Sequence, residues 1–286
     1  MGEGGVSGIF VGRSTLDIVY TCRRFPDPDG KVDAEAGYAT GGGPALNAAV
    51  AFAALGGRAR LCSPIGAGPL AEAVRQDLER HGVELFDTAP GQRDVLPVST
   101  VVLTGASRAI VNQPLPARGP ELSAEVLEAI FAPAPAIVLS DGHLPELALP
   151  VLRRARDRGV TTVLDGGSWK PWTAELLPLI DIAIVSSRFR PPGPDALAGV
   201  QILATTQGPG PIRWRSAQGA GEVRPPAVEA IDTLGAGDIF HGAFCHRYAL
   251  SGDVPASLAA AAEVASRSCT SWGPRAWIGE GLRGSG

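Results

Sequence analysis

The chain has 286 residues, with 25 Lys and Arg against 29 Asp and Glu, for a formal charge of −4. A chain this long buries a large core without disulfides or metal staples, and a hydrophobic content of 45% excludes wholesale disorder. The slight acidity argues against a nucleic-acid or membrane-surface protein, either of which needs a basic excess.

Ser7–Val11 reads as a short apolar strand. The residues before it hold no basic region and no long apolar stretch, so no secretory signal is expected. Arg13–Thr40 is polar and turn-rich around Pro26-Asp27-Pro28-Asp29-Gly30. Ala45–Leu55 predicts a buried helix ended by Gly56-Gly57. This longest apolar run is broken by Asn47 and falls short of the ~18 residues of a membrane span. Ala59–Ser63 predicts a strand and Leu70–His81 an amphipathic helix closed by Gly82. Val98–Thr104 and Arg108–Asn112, joined by Gly105-Ala106-Ser107, predict a hairpin. A cleaner rhythm follows: strand Ala136–Ser140, helix Glu146–Arg158, strand Val160–Asp165, short helix Ala174–Leu177, then strands Ile182–Ser186 and Gln201–Thr205. A second hairpin pairs Ile212–Arg215 with Gly221–Val223. Helices Ala236–Leu250 and Ala256–Thr270 come last, before a loose tail, Gly281–Gly286.

Alternating strands and helices predict an α/β fold with a mostly parallel central sheet covered by helices on both faces. The hairpin-like regions Leu16–Ala39 and Val98–Asn112 break that rhythm and predict a small separate β-element. Cys22, Cys62, Cys245 and Cys269 are scattered without a CxxC pair and read as free thiols of a reducing cytoplasm. Neither lysine, Lys31 or Lys170, lies in GxxxxGK[ST], which excludes a Walker-A loop.

The most informative stretch runs from Asp232 to Phe244, DTLGAGDIFHGAF. Small residues at Gly235, Ala236 and Gly237 let backbone N–H groups point into one space, and the helix starting there adds its positive end, which makes an anion cradle. Asp238 stands at the lip. A carboxylate beside phosphate is repelled unless it has a task, and the task that suits it is to accept a proton from an attacking hydroxyl. The bare GAGD is balanced between this reading and an ordinary helix start with an acidic first turn; the full thirteen-residue string favours the cradle. A second stretch, Gly41-Gly42-Gly43-Pro44-Ala45-Leu46-Asn47, permits close approach of a ligand to the backbone. Asn47, one turn into an apolar helix, must find polar partners, from a polyol or from a neighbouring carbonyl.

Both stretches, in this order and about 190 residues apart, resemble the ribokinase-like (PfkB) family of carbohydrate kinases. The N-terminal signature runs from Gly42 through Asn47 to Gly56 and Gly66, the C-terminal one from Asp232 to Phe244. The resemblance extends from Gly8 to about Ile278. It implies one ribokinase-like domain over residues 1–286, with a β-sheet lid from segments near 13–40 and 96–114, and transfer of the γ-phosphoryl of ATP, with Mg²⁺, to a primary hydroxyl of a sugar. Asp238 would be the general base, with Gly235, Ala236 and Gly237 as anion hole. Asp17, Gly42, Gly43 and Asn47 would hold the sugar, joined by Asn112 and His143. Thr206, Gln207, Gly208 and Gly210 match the nucleotide loop, with Ser187 and Gly273 nearby. Asp232 and Thr233 fall where many members bind a monovalent cation, so K⁺ is a candidate. A homodimer through the lid is expected, since lid strands leave edges that a second copy covers. Several phrases, VTTVLDGG at Val160–Gly167 and Asp238-Ile239-Phe240-His241-Gly242 among them, are similar to ketohexokinase and bacterial sulfofructose kinases, which favours a keto-sugar slightly.

Three departures stand out. The usual Asn-x-x-Glu is replaced by Ser186-Ser187-Arg188-Phe189, which would leave the divalent metal to phosphates and water. Pro64–Pro69 is short and lacks the customary acidic residue, and the region after Ser187 is trimmed. A nucleoside kinase on the same fold, with Phe25 and Tyr38 as base contacts, and a degenerate sugar or nucleotide sensor are the alternatives. A dinucleotide oxidoreductase is weak, because Gly41–Pro44 lacks GxGxxG spacing. His241, Cys245 and His246 read as packed helix residues rather than a zinc site, His81 as a helix cap, and Trp169 and Trp172 as surface packing.

Overall fold

The computed structural model describes residues 5–105, 107–114 and 121–279. The expected Gly281–Gly286 tail and Ala106 of the hairpin turn lie outside them. In chain order the first half contains β1 (Ser7–Val11), β2 (Thr15–Thr21), β3 (Ala36–Gly42), α1 (Pro44–Ala54), β4 (Arg58–Ser63), α2 (Pro69–Arg80), β5 (Glu84–Asp87), β6 (Val98–Thr104), β7 (Ser107–Asn112) and α3 (Ala124–Ile130). The second half contains β8 (Ile137–Ser140), α4 (Pro145–Asp157), β9 (Thr161–Gly166), α5 (Thr173–Leu176), β10 (Ile182–Ser186), β11 (Ile202–Thr206), β12 (Ile212–Ser216), β13 (Gly219–Val223), α6 (Ala236–Ser251) and α7 (Val254–Ser268).

Nine strands form one sheet in the order β13-β12-β11-β10-β9-β8-β1-β4-β5. From β11 to β5 every neighbour pair is parallel; β12 and β13 close the far edge as an antiparallel hairpin. Side chains alternate across a strand, so each strand feeds two cores. Phe10, Leu61, Leu139, Val163 and Ile184 pack toward α1, α2, α6 and α7. Ile9, Val11, Val138, Leu164 and Ala183 pack toward α3, α4 and α5. The expected two-faced α/β architecture is therefore present.

The regions outside the rhythm make a second sheet, ordered β3-β2-β6-β7. Its register sets Thr40, Asp17, Ser99 and Asn112 side by side across all four strands. Two elements are new relative to the sequence: β5, four residues at a sheet edge, and α3, seven residues capped by the Ser123 hydroxyl on the Val126 amide. Both are too short to show periodicity. α7 starts two residues before its expected Ala256 because the Asp253 carboxylate caps the Ala256 amide at 2.8 Å.

One contact positions the site. α6 lies on α1 so closely that a Cβ on Gly242 would come within 2.2 Å of the Ala48 carbonyl oxygen. Any side chain at 242 would push the helices apart, and with them the residues one turn away, Asn47 on α1 and Asp238 on α6.

Candidate active site

In open α/β sheets ligands bind outside the carboxyl ends of the strands. Here that edge carries Arg13 beyond β1, Asp141 and His143 beyond β8, Asp165 at the end of β9 with Lys170 after it, Ser187 beyond β10, and the Thr206–Gly210 turn at β11. α6 points its N-terminus at the same edge. Gly235, its N-cap, has φ +73, a left-handed turn that favours glycine, and no side chain caps the helix. The Ala236 amide makes a long bond to the Thr233 carbonyl at 3.4 Å, and the Gly237 and Asp238 amides have no partner within the helix and are open to an anion.

Asp238 accepts a hydrogen bond at Oδ2 from Asn47 Nδ2 at 2.8 Å. The Asn47 amide has only one workable orientation, because its Oδ1 accepts from Arg275 at 2.9 Å. Arg275 also donates to the Gly41 carbonyl at 2.8 Å and meets Asp77 at 3.3 Å. Asp77 in turn accepts from the Gly41 amide at 3.2 Å. A continuous chain of hydrogen bonds thus runs from Asp238 to a carboxylate on α2. Burial, reinforced by the charge of Asp165, pushes the Asp238 carboxyl up to about 7, against the opposing pull of Asn47 and His241.

Behind Asp238 lies a second buried pair. His241 Nδ1 faces the Gly237 carbonyl at 2.7 Å and Asp165 Oδ2 at 3.4 Å, while Nε2 faces the Ile184 carbonyl at 3.2 Å. Both ring nitrogens point at acceptors, and a neutral imidazole carries only one N–H. His241 is a packed helix residue, as expected, and it also ties the Gly237–Asp238 peptide to β9 and β10.

Asp17 accepts from the Thr15 hydroxyl at 2.6 Å, and burial raises its carboxyl above the usual range. It packs so tightly on Gly42 that a Cβ there would sit 2.1 Å from Oδ2. Gly43 is the N-cap of α1. Asn112 joins the same sheet row through Ser99. His143 donates its backbone N–H to Asp141 at 2.8 Å, and burial pushes its imidazole down to about 4, so it is neutral at pH 7. Of the expected sugar-side residues, Asn47 touches Asp238 and Asp17 acts on it while packing on Gly42; Asn112 is reached only through Ser99, and His143 lies beyond β8.

Ser187 and Thr206–Gly210 lie on the other side, at β10 and β11. They are linked to each other, the Ser187 amide donating to the Thr206 carbonyl at 2.8 Å and the Gly210 amide to the Gln207 carbonyl at 2.9 Å. Gly273 instead donates its amide to Asp232 Oδ2 at 3.1 Å. Asp232 Oδ2 also accepts from Tyr38 at 3.0 Å, and Oδ1 accepts from the Leu234 amide at 2.9 Å. That leaves Asp232 one free lone pair, so Asp232 and exposed Thr233 offer a monovalent cation little. Among the described residues no group of three or more His, Cys, Asp or Glu side chains converges.

Arg275, Asp77 and Asp165 belong to this site and were not singled out for these roles by the sequence. Asp77 sits on an amphipathic helix, where an acidic residue reads as solvated, yet it is 6% exposed. Arg275 follows a Gly-Pro turn with no pattern around it. Asp165, with Gly166 and Gly167 at a strand end, reads from the sequence either as a turn or as a segment approaching nucleotide or sugar.

The pfkB family carbohydrate kinase model matches residues 9–188 and 195–278. The chain belongs to this family. This carbohydrate kinase is thus a phosphotransferase with an alcohol group as acceptor. It is 27% identical to the ATP-dependent ribose-1-phosphate kinase of Halopiger xanaduensis over 262 residues, 86% of each chain. It is 25% identical to the deoxyribokinase of Salmonella typhi, covering 92% of each chain. A crystal structure of a ribokinase candidate from Agrobacterium tumefaciens superposes with a TM-score of 0.81 at 28% identity, over 96% of this kinase and 94% of that chain. The Arabidopsis thaliana ribokinase complexed with ribose and ATP shares the fold at a TM-score of 0.75 and 21% identity, covering 99% of this chain and 100% of that one.

Proposed function

We propose that this carbohydrate kinase transfers the γ-phosphoryl group of ATP to a primary hydroxyl of a small sugar, with Asp238 as the general base. The observation that carries this reading is the half-buried Asp238 carboxylate, held by Asn47 at the open N-terminus of α6. Asp17, Gly42, Gly43, Asn47, Asn112 and His143 would orient the sugar. The amides of Gly235, Ala236 and Gly237 would take the charge developing on the transferring group. Thr206, Gln207, Gly208, Gly210, Ser187 and Gly273 would hold the nucleotide. Mg²⁺ bound with the phosphates supplies charge neutralisation between them; no step is assigned to K⁺ on the strength of Asp232 and Thr233. The small sheet would close as a lid and exclude water. Its exposed apolar residues, Tyr20, Ile110 and Val111, support pairing of two copies there in a cytoplasmic homodimer.

The relatives' names span ribose-1-phosphate and deoxyribose, so pentoses and pentose phosphates join ketoses in the acceptor panel. ATP consumption measured against hexoses, ketoses, pentoses, sugar phosphates, sulfo-sugars and nucleosides tests the reading. Turnover of nucleosides alone would move it to the nucleoside kinases, and binding without turnover to a sensor.

A base works only when unprotonated, so kcat/KM for the acceptor is expected to fall as pH drops below about 7. Asp165→Asn removes a negative charge that raises Asp238 and is expected to move this acid limb to lower pH. An unchanged limb would show that another group sets it.

A further inference from the structure

Two cations of the acceptor side stand without a carboxylate oxygen in ion-pair contact. Arg275 is paired with Asp77 and Asp165 faces His241, while Asp141 and Asp165 act on Lys170, and Asp17 on Arg13, only from a distance. Asp141 is held by the Arg13 and His143 backbone amides at 2.7 and 2.8 Å. Arg13 and Lys170 have no carboxylate oxygen within 4.0 Å among the described residues. Arg13 uses one side-chain donor, NH2 to the Gln113 carbonyl at 3.4 Å, and its Nε is buried with no partner. Lys170 uses one of three donors, on the Ser168 carbonyl at 3.3 Å. Both are partly buried, where an idle donor is costly.

Their placement narrows what could use those donors. Arg13 follows β1 and Lys170 follows β9, and β8 lies between. They therefore straddle one strand, roughly 10 Å apart at the backbone from two inter-strand spacings. Both act electrostatically on His143 at the end of that middle strand. Arg13 also reaches Gln113, next to Asn112 on the small sheet, so its guanidinium bridges the cleft on the acceptor side of Asp238. The Thr206–Gly210 turn lies beyond β10, on the opposite side. A neutral polyol gives the idle guanidinium and ammonium donors no charged acceptor; a tetrahedral oxyanion supplies three acceptor oxygens to the gap.

Resting on the kinase reading above, we propose that Arg13 and Lys170 form an anion subsite for the acceptor, and that the substrate class is a small sugar already carrying a phosphate or sulfonate group. Arg13 recognises the anion by its planar fork, and Lys170 by charge.

The test compares matched acceptors on the wild-type enzyme: ribose with ribose 1-phosphate and ribose 5-phosphate, and fructose with fructose 6-phosphate and 6-deoxy-6-sulfofructose. At least one anionic member is expected to exceed its neutral partner in kcat/KM by roughly 10- to 100-fold, the worth of charge-assisted hydrogen bonds. Arg13→Gln is expected to collapse that ratio by raising KM for the anionic acceptor, and Arg13→Lys to restore part of it. Neutral sugars turned over in preference to every anionic partner would overturn the subsite and leave the kinase reading standing. An Arg13→Gln effect confined to KM for ATP would also overturn it, assigning the cations to the transferring phosphoryl group. No turnover of any acceptor would sink both readings. Thermal shift of the wild-type protein by the same sugars gives a readout independent of catalysis and of variant folding.

Discussion

Asp238→Asn is expected to lower kcat by about 10²- to 10⁴-fold, the usual worth of a positioned general base, with KM for ATP changed little. Asn keeps the shape and can still accept from Asn47 Nδ2, so the anion cradle and the contact between α1 and α6 survive. Only the ability to take a proton is lost. The same substitution carries an opposite expectation for stability. Asp238 is raised to about 7 in the folded protein from an ordinary value of 3.8. The folded state therefore holds this proton more tightly than the unfolded chain, and stability is lost as pH rises between those two values. Asn carries no such penalty. Asp238→Asn should exceed the wild type in Tm by a small margin at pH 5 and by a larger one at pH 8. Two melting curves and one steady-state comparison check both parts. A mutant with near-wild-type kcat would remove Asp238 from the mechanism. A mutant less stable at pH 8 than at pH 5, relative to wild type, would show that the carboxylate is not buried against its own charge.

The difference between what was legible in the sequence and what was not follows from the range of the interactions. The strands and long helices are written in local periodicity, which is why β1, β8, β9 and β10 and helices α1, α2, α4 and α6 lie within a residue or two of their expected spans. Gly235, Asp238 and Asn47 are legible because small residues at a helix start and an amide in an apolar helix are locally anomalous. Their meeting at 2.8 Å depends on Gly242 fitting against Ala48, two positions 194 apart in sequence, and no local pattern announces that. Arg275 and Asp77 are invisible for a related reason. Each is an ordinary charged residue until the fold removes its water, and burial is a tertiary property. The row Thr40–Asp17–Ser99–Asn112 depends on strand register between segments separated by the whole of α1, β4, α2 and β5, so the small sheet was legible as an interruption but its pairing was not.

Arg275→Met is expected to cost about 3–5 kcal/mol, the range for breaking a buried ion pair by removing one partner. Melting temperature should fall by roughly 10 °C, at 2–4 °C per kcal/mol for a large domain. The side chains of Arg275 and Asp77 are 14% and 9% exposed, so solvent does little to replace the lost partner. The larger consequence is at Asp238. Without Arg275 on its Oδ1, the Asn47 amide is free to rotate and present oxygen, rather than N–H, to the Asp238 carboxylate; kcat should fall together with stability, although Arg275 touches neither substrate nor base. The deficit depends on pH in a definite direction. Arg275 and His81 hold the Asp77 carboxyl below its ordinary value despite burial, so the wild-type contribution is present at neutral pH and lost in acid. The gap in Tm between wild type and Arg275→Met should therefore be wide at pH 7 and narrow only as pH falls below 3.8, through the lowered folded value. Adding Asp77→Asn to Arg275→Met removes the stranded charge and should recover part of the stability, while leaving kcat low because Asn47 is still unheld. Recovery of both together would show that Arg275 serves packing alone and that the orientation of Asn47 is set elsewhere.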